Sequence, residues 1–207
     1  MVRKSLARVS IHPVDSDRWS DLKRLFGEKG ACAGCWCMWF RLPLSVFNQG
    51  RKSGNRRAMK RLVETNQLPG LLAYVDGEPA GWCAMAPRAA YPRLGRSRVL
   101  QPVDDQPVWS VTCFFIAKPF RKQGLTVRLL KAAATLARKS GVAILEGYPV
   151  DPSKPYADTF AFPGLLNSFK KAGFTEVSRR SPSRPIMRKI LRVPRVNKTR
   201  RVEATQR

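Results

Sequence analysis

The chain has 207 residues, 43% of them hydrophobic and 26% charged, a balance that supports one domain with its own core and excludes a disordered chain or two ordinary domains. No apolar run approaches the roughly 18–20 residues of a membrane-spanning helix, and the opening MVRKSLARVS carries no apolar signal region, so the cytoplasm is the expected location. With 39 basic and 14 acidic side chains the net charge is +25, which attracts anions, disfavours polycationic amines as ligands, and speaks of partners rather than of fold.

Residues 7–12 read as a short strand that Pro13 ends. Asp15 or Ser16 is placed to cap a helix in which Trp19, Leu22, Leu25 and Phe26 recur at helical spacing, with Gly27 or Gly30 closing it. There follows the run Cys32-Ala-Gly-Cys35-Trp-Cys37-Met-Trp39-Phe40-Arg41. Thiolates this close together suit a soft metal, which makes Cys32, Cys35 and Cys37 candidate zinc ligands; a structural site wants four, so His12, Cys83 or Cys113 would have to complete it. The expectation preferred here is a loop without metal, whose reduced thiols pack as small apolar groups. The 5 cysteines, an odd number, argue against a disulfide framework. Residues 48–55 read as a polar loop, and 55–66 as a helix with Met59, Leu62 and Val63 inward and Arg56, Arg57, Lys60 and Arg61 outward.

After Pro69, two apolar runs at 71–75 and 79–86 flank Asp76-Gly77, a strong hairpin signal. Residues 87–107 form a basic loop of a length that is often functional. The run 108–117 is rich in β-branched and aromatic residues and reads as a buried strand, stopped before Pro119. From Leu125 onward, Leu129, Leu130, Ala133, Leu136 and Ala137 trace an amphipathic helix ending near Ser140 and Gly141. Between strand and helix lies Arg121-Lys122-Gln123-Gly124-Leu125-Thr126. A helix start offers unpaired N–H groups and the positive end of a dipole, and Gly124 lets a ligand approach the backbone. With Arg121 and Lys122 these groups make a seat for a pyrophosphate. A strand at 142–149, an irregular loop at 151–162, a helix at 163–172 and strands at 174–179 and 186–191 complete a single domain over 1–193. Residues 194–207 are polar, basic and without periodicity, and read as a disordered tail.

The segment Pro119-Phe120-Arg121-Lys122-Gln123-Gly124-Leu125-Thr126 resembles the GNAT family of acetyl-CoA-dependent N-acetyltransferases. There a strand ends in Pro and an aromatic before Arg/Gln-x-x-Gly-x-Gly/Ala at a helix start. Thr126 stands where Gly or Ala is usual. The succession of elements over 8–191 is similar to that of the family, and Gly173-Phe174 after Phe169 resembles its Tyr-x-x-x-Gly-Phe pattern.

The resemblance implies an α/β (α+β) fold with a twisted mixed sheet of about seven strands flanked by helices. It implies acetyl-CoA as co-substrate, with its pantetheine arm between the fourth and fifth strands, pairing with backbone around Phe115 and Ile116. Arg121, Lys122, Gln123, Gly124, Leu125 and Thr126 would then hold the pyrophosphate, and Trp36, Trp39 and Arg41 would line the acceptor side. The implied reaction is acetylation of a primary amine, on a small molecule or a peptide, by direct attack in a ternary complex of a monomer or homodimer. Phe169 occupies the place of the family's proton-donating tyrosine, so Tyr148 and Tyr156 become the candidate acids. Glu146 interrupts an apolar strand, where burial raises a carboxyl pKa, and is the candidate base. The alternative is a nucleic-acid- or ribosome-binding protein on the same scaffold, an expectation that rests on charge alone.

Overall fold

Apolar residues alternating along short extended runs dictate the sheet. In the computed structural model, which describes residues 8–51, 53–152 and 161–192, the strands are β1 (Val9–Pro13), β2 (Gly70–Val75), β3 (Glu78–Pro87), β4 (Trp109–Ile116), β5 (Ile144–Gly147), β6 (Thr175–Arg179) and β7 (Pro185–Ile190). They form one seven-stranded sheet in the order β1-β2-β3-β4-β5-β7-β6. Every neighbouring pair is antiparallel except β4 and β5, which run parallel. The helices are α1 (Trp19–Phe26), α2 (Leu44–Gln49), α3 (Gly54–Glu64), α4 (Pro92–Gly95), α5 (Leu125–Lys139) and α6 (Leu166–Lys171).

Both faces of the sheet are covered, as the apolar strands require. On one, Leu71, Ala73, Met85, Val111, Leu145 and Met187 pack on the Leu125, Leu129, Leu130, Ala133 and Ala137 stripe of α5 and on Leu166 and Phe169 of α6. On the other, Leu72, Trp82, Ala84 and Cys113 meet Leu22, Leu25 and Phe26 of α1, Met59 and Val63 of α3, and the turn at Trp36, Cys37 and Met38. A third cluster of Phe40, Ala86, Tyr91, Leu94, Leu100, Tyr148 and Ile186 holds down the 87–107 connection.

The expected strands and the two long helices recur with shifts of a few residues at their ends. Two helices are new, the four-residue α4 and α2: the latter buries only Phe47, while Leu44 and Val46 are each 49% exposed, so it carries no apolar stripe to read. Helix α1 begins at Trp19 because Asp15, expected as its cap, accepts the backbone N–H of Arg18 at 3.1 Å and closes a turn ahead of it. The basic loop at 87–107 contains a single 3₁₀ turn (Arg88–Ala90) and α4. Residues 193–207, including the expected tail, lie outside the described residues. Among the described residues, no helix is long and apolar enough to cross a membrane.

Candidate active site

Parallel pairing of β4 with β5 lasts for only Trp109↔Leu145, Ser110↔Glu146 and Val111↔Gly147. Beyond Val111 the strands part, since β5 ends while β4 runs on to Ile116. A register shift between Ala84 and Met85 against β4 leaves Thr112 as the extra, bulged residue where the gap begins. Because backbone groups alternate along a strand, the N–H and C=O of Phe114 and Ile116 point into the gap, whereas those of Phe115 point to Trp82 on β3. This corrects the expectation for Phe115, whose backbone faces β3; the groups that face the gap are those of Phe114 and Ile116. The Phe114 N–H donates to the Phe162 carbonyl at 2.6 Å, and the Ile116 carbonyl accepts from Arg121 Nε at 3.0 Å. Gly147 at the vertex leaves room for Phe169, whose Cε1 would lie 2.2 Å from a Cβ placed there. Phe169 itself is fully buried against Phe114 and Phe174, a core ring with no proton to give.

At the far end of β4 the chain turns into α5 through the basic segment. Lys122 (φ 61°) and Gly124 (φ 82°) both take the left-handed conformation, which turns the chain from the 3₁₀ turn at 118–120 into the helix. Helix α5 starts at Leu125 with no side-chain cap, so the Thr126 hydroxyl leaves the first N–H groups to a ligand. A Cβ at Gly124 would meet nothing within 4 Å, so the approach to this backbone is open. Gln123 Nε2 donates to the Pro119 carbonyl at 2.7 Å and pins the turn. The donors here fit a diphosphate.

Behind the vertex lies a charge network that sequence reading located only through Glu146 and Tyr148. Glu146 is 0% exposed. Its Oε1 accepts from Arg88 Nη1 at 2.9 Å and from the Tyr148 hydroxyl at 2.6 Å, and its Oε2 accepts from Arg188 Nε at 2.7 Å. Arg188 also grips both oxygens of Asp104, at 2.6 and 3.0 Å. The Tyr148 hydroxyl lies 2.7 Å from Ser110 Oγ on β4. Burial, and then the Glu146 carboxylate, push the Tyr148 hydroxyl well above its ordinary value. Arg88, Arg188 and Asp104 gave no local signal in a chain this rich in arginine.

Across the sheet from α5, the three residues expected on the acceptor side separate. Trp36 is 3% exposed, packed on Trp19 and Phe26 as a core ring, which corrects its expected role. Trp39 is half-buried beneath Arg93, whose guanidinium carbon stands 3.8 Å from the indole centre. Arg41 lies over the Tyr91 ring at 4.5 Å and donates from Nη2 to the Tyr91 hydroxyl at 3.2 Å. Tyr91, which no sequence signal marked, is buried; that burial pushes its hydroxyl up to about 12, against the opposing pull of the Arg41 charge. The cysteines do not converge: Cys32 is exposed, Cys35 half-buried, and Cys37 turned inward with its Sγ 3.1 Å from Cys113 Sγ and accepting from Trp82 Nε1. Burial pushes the Cys35 thiol up to about 12 and holds the Cys37 thiol well above its ordinary value, away from the thiolate that zinc needs. Among the described residues, no three metal-ligating side chains form a group. Tyr156 lies outside the described residues.

The opened sheet and the basic helix start define an acyltransferase scaffold, and the comparisons agree. The model of the acetyltransferase (GNAT) family matches residues 36–157, and the chain belongs to that family. Acetyl-CoA-dependent N-acetylation is general to its members. Among solved structures, a GNAT-family acetyltransferase from Listeria monocytogenes 4b F2365 superposes with a TM-score of 0.54 at 10% identity, over 88% of this chain and 95% of its own. One from Streptococcus agalactiae 2603 gives 0.53 at 13%, over 89% and 96%. The PaiA N-acetyltransferase from Thermoplasma acidophilum, in complex with coenzyme A, gives 0.50 at 13%, over 88% and 99%. These likenesses speak for the fold. No curated protein matches the chain.

Proposed function

We propose that the protein moves the acetyl group of acetyl-CoA to a primary amine by direct attack in a ternary complex. The observation that carries this reading is the gap between β4 and β5 standing next to an uncapped, glycine-started α5. Acetyl-CoA supplies an activated thioester; the chain supplies orientation, charge and proton control. The N–H groups at the start of α5, with Arg121 and Lys122 beside them, would hold the diphosphate. Backbone groups of Phe114 and Ile116 would orient the arm, and the bond from Phe114 to Phe162 would exchange for it.

In the reaction a neutral amine attacks the thioester carbonyl, the C–N bond forms, the C–S bond breaks, one proton leaves nitrogen and one reaches sulfur. Tyr148 is our candidate for the proton donor: its hydroxyl is protonated at neutral pH, and passing that proton to sulfur would break its bond to Glu146 while Arg88 and Ser110 hold the oxygen in place. Glu146, with both oxygens held by guanidinium groups, is better suited to orient Tyr148 than to accept a proton. An acyl-cysteine route is disfavoured. Cys113 faces Cys37, and no histidine or carboxylate bonds to it among the described residues.

Acetyl-CoA should raise the melting temperature of the protein, and the lack of any shift overturns this reading. Gly124→Glu puts a like charge and a strained φ at the diphosphate seat, and should abolish the shift while leaving the far-UV spectrum intact. A full shift in that variant would move the seat elsewhere.

A further inference from the structure

We infer that the acceptor is a small amine carrying a carboxylate, and that Arg41 is the side chain that binds this carboxylate. The inference rests on the acetyl-transfer reading above and names the substrate class for the same site.

Arg41 is half-buried, yet its polar partners are neutral: the Tyr91 hydroxyl at 3.2 Å and the Pro69 carbonyl at 3.5 Å. No carboxylate lies within ion-pair distance of it among the described residues. The other arginines near the sheet are matched otherwise: Arg88 to Glu146, Arg188 to Glu146 and Asp104, Arg179 to Glu176 and Asp151. Removing a guanidinium from water without an opposite charge is costly, and a bound anion relieves that cost. A half-buried guanidinium left without a carboxylate marks where an anion from outside belongs.

Its location ties that anion to the reaction. The Pro69 carbonyl that Arg41 touches also accepts the backbone N–H of Met85 at 3.3 Å, and Met85 borders the register shift opposite Thr112, the bulged residue at which β4 leaves β5. Arg41 therefore stands two hydrogen bonds from the start of the gap, a span that a carboxylate a few bonds from an amine nitrogen can bridge. The Tyr91 ring beneath it holds the guanidinium plane, so little freedom is lost when a planar oxyanion docks edge-on. Arg93 of α4, stacked on Trp39 and donating to its carbonyl at 3.0 Å, is a second half-buried cation, packed on the turn that carries Arg41 and without a carboxylate partner among the described residues. Together the two cations repel polyamines. They also disfavour the ammonium form of a nearby amine, which raises the fraction of neutral nucleophile.

The test measures thiol release with acetyl-CoA and matched acceptors: glycine, methionine and phenylalanine, each against its carboxamide, with O-phosphoethanolamine against ethanolamine and spermidine as further arms. The free carboxylate is expected to win by about tenfold to a hundredfold in kcat/KM in at least one pair, the range for a charged hydrogen-bonded contact. Arg41→Gln should erase that preference mainly through KM, while Arg41→Lys retains part of it. Equal use of both members of every pair, use of none, or preference for the phosphate or spermidine arm overturns the inference. So does a preference that survives Arg41→Gln, and the wild-type comparison decides even if that variant does not fold. Acetyl-CoA binding, read separately by melting temperature, distinguishes failure of this inference from failure of the transferase reading itself.

Discussion

Glu146 shows how little a residue's type says without its partners. A carboxylate inside an apolar strand signals either a base with a raised pKa or the anionic half of a buried ion pair. Which one it is depends on Arg88 and Arg188, which lie 58 and 42 positions away in sequence. With both oxygens engaged, removing the charge leaves Arg88 without a carboxylate and Arg188 with Asp104 alone. Glu146→Gln is thus expected to cost about 3–5 kcal/mol in denaturant unfolding and to leave the basic limb of the pH-rate profile in place. Loss of that limb in the soluble variant would return Glu146 to the role of base. Tyr91 and Arg41 make the same point, since their contact spans 50 positions and neither residue stands in a motif.

Between elements, the connection from β3 to β4 is fastened to the sheet by Asp104, whose carboxyl the Arg188 guanidinium holds below its ordinary value. A carboxyl lowered in the folded state stabilises above its unfolded pKa of about 3.9 and stops doing so as pH falls through its depressed value. The melting temperature of Asp104→Asn should therefore lie below wild type at neutral pH, with the difference closing only at strongly acidic pH. A pH-independent difference would mean that the ion pair is not what holds the connection. Elements with a strong local pattern were legible beforehand: the Asp76-Gly77 hairpin, the long run of β4, and α5 with its glycine start. The basic turn into α5 was legible for the same reason, being contiguous in sequence. Helix α2 was not, because one buried phenylalanine makes no period, and the charge network was not, because its members converge only in three dimensions.

The whole molecule carries +25, and that charge repels itself in the compact state more than in the expanded one. Added salt should therefore raise the melting temperature of the free protein while shrinking the shift caused by acetyl-CoA; a melting temperature that falls with salt would contradict the first effect. A mechanical consequence follows from the way the sheet is joined. Strands β1 to β4 make one antiparallel half and β5, β7 and β6 the other, and only three residue pairs connect them. Arg88 and Asp104 from one side of that seam, and Glu146 and Arg188 from the other, lock across it. The seam acts as the fulcrum of two lever arms: along residues 112–116, about 3.3 Å each, a small rotation at the fulcrum grows into a larger displacement at the mouth. The four charged side chains, with the α5 and α6 residues that pack on both halves, brace that fulcrum, so on the proposed reading loosening the seam is expected to degrade cofactor and acceptor binding together.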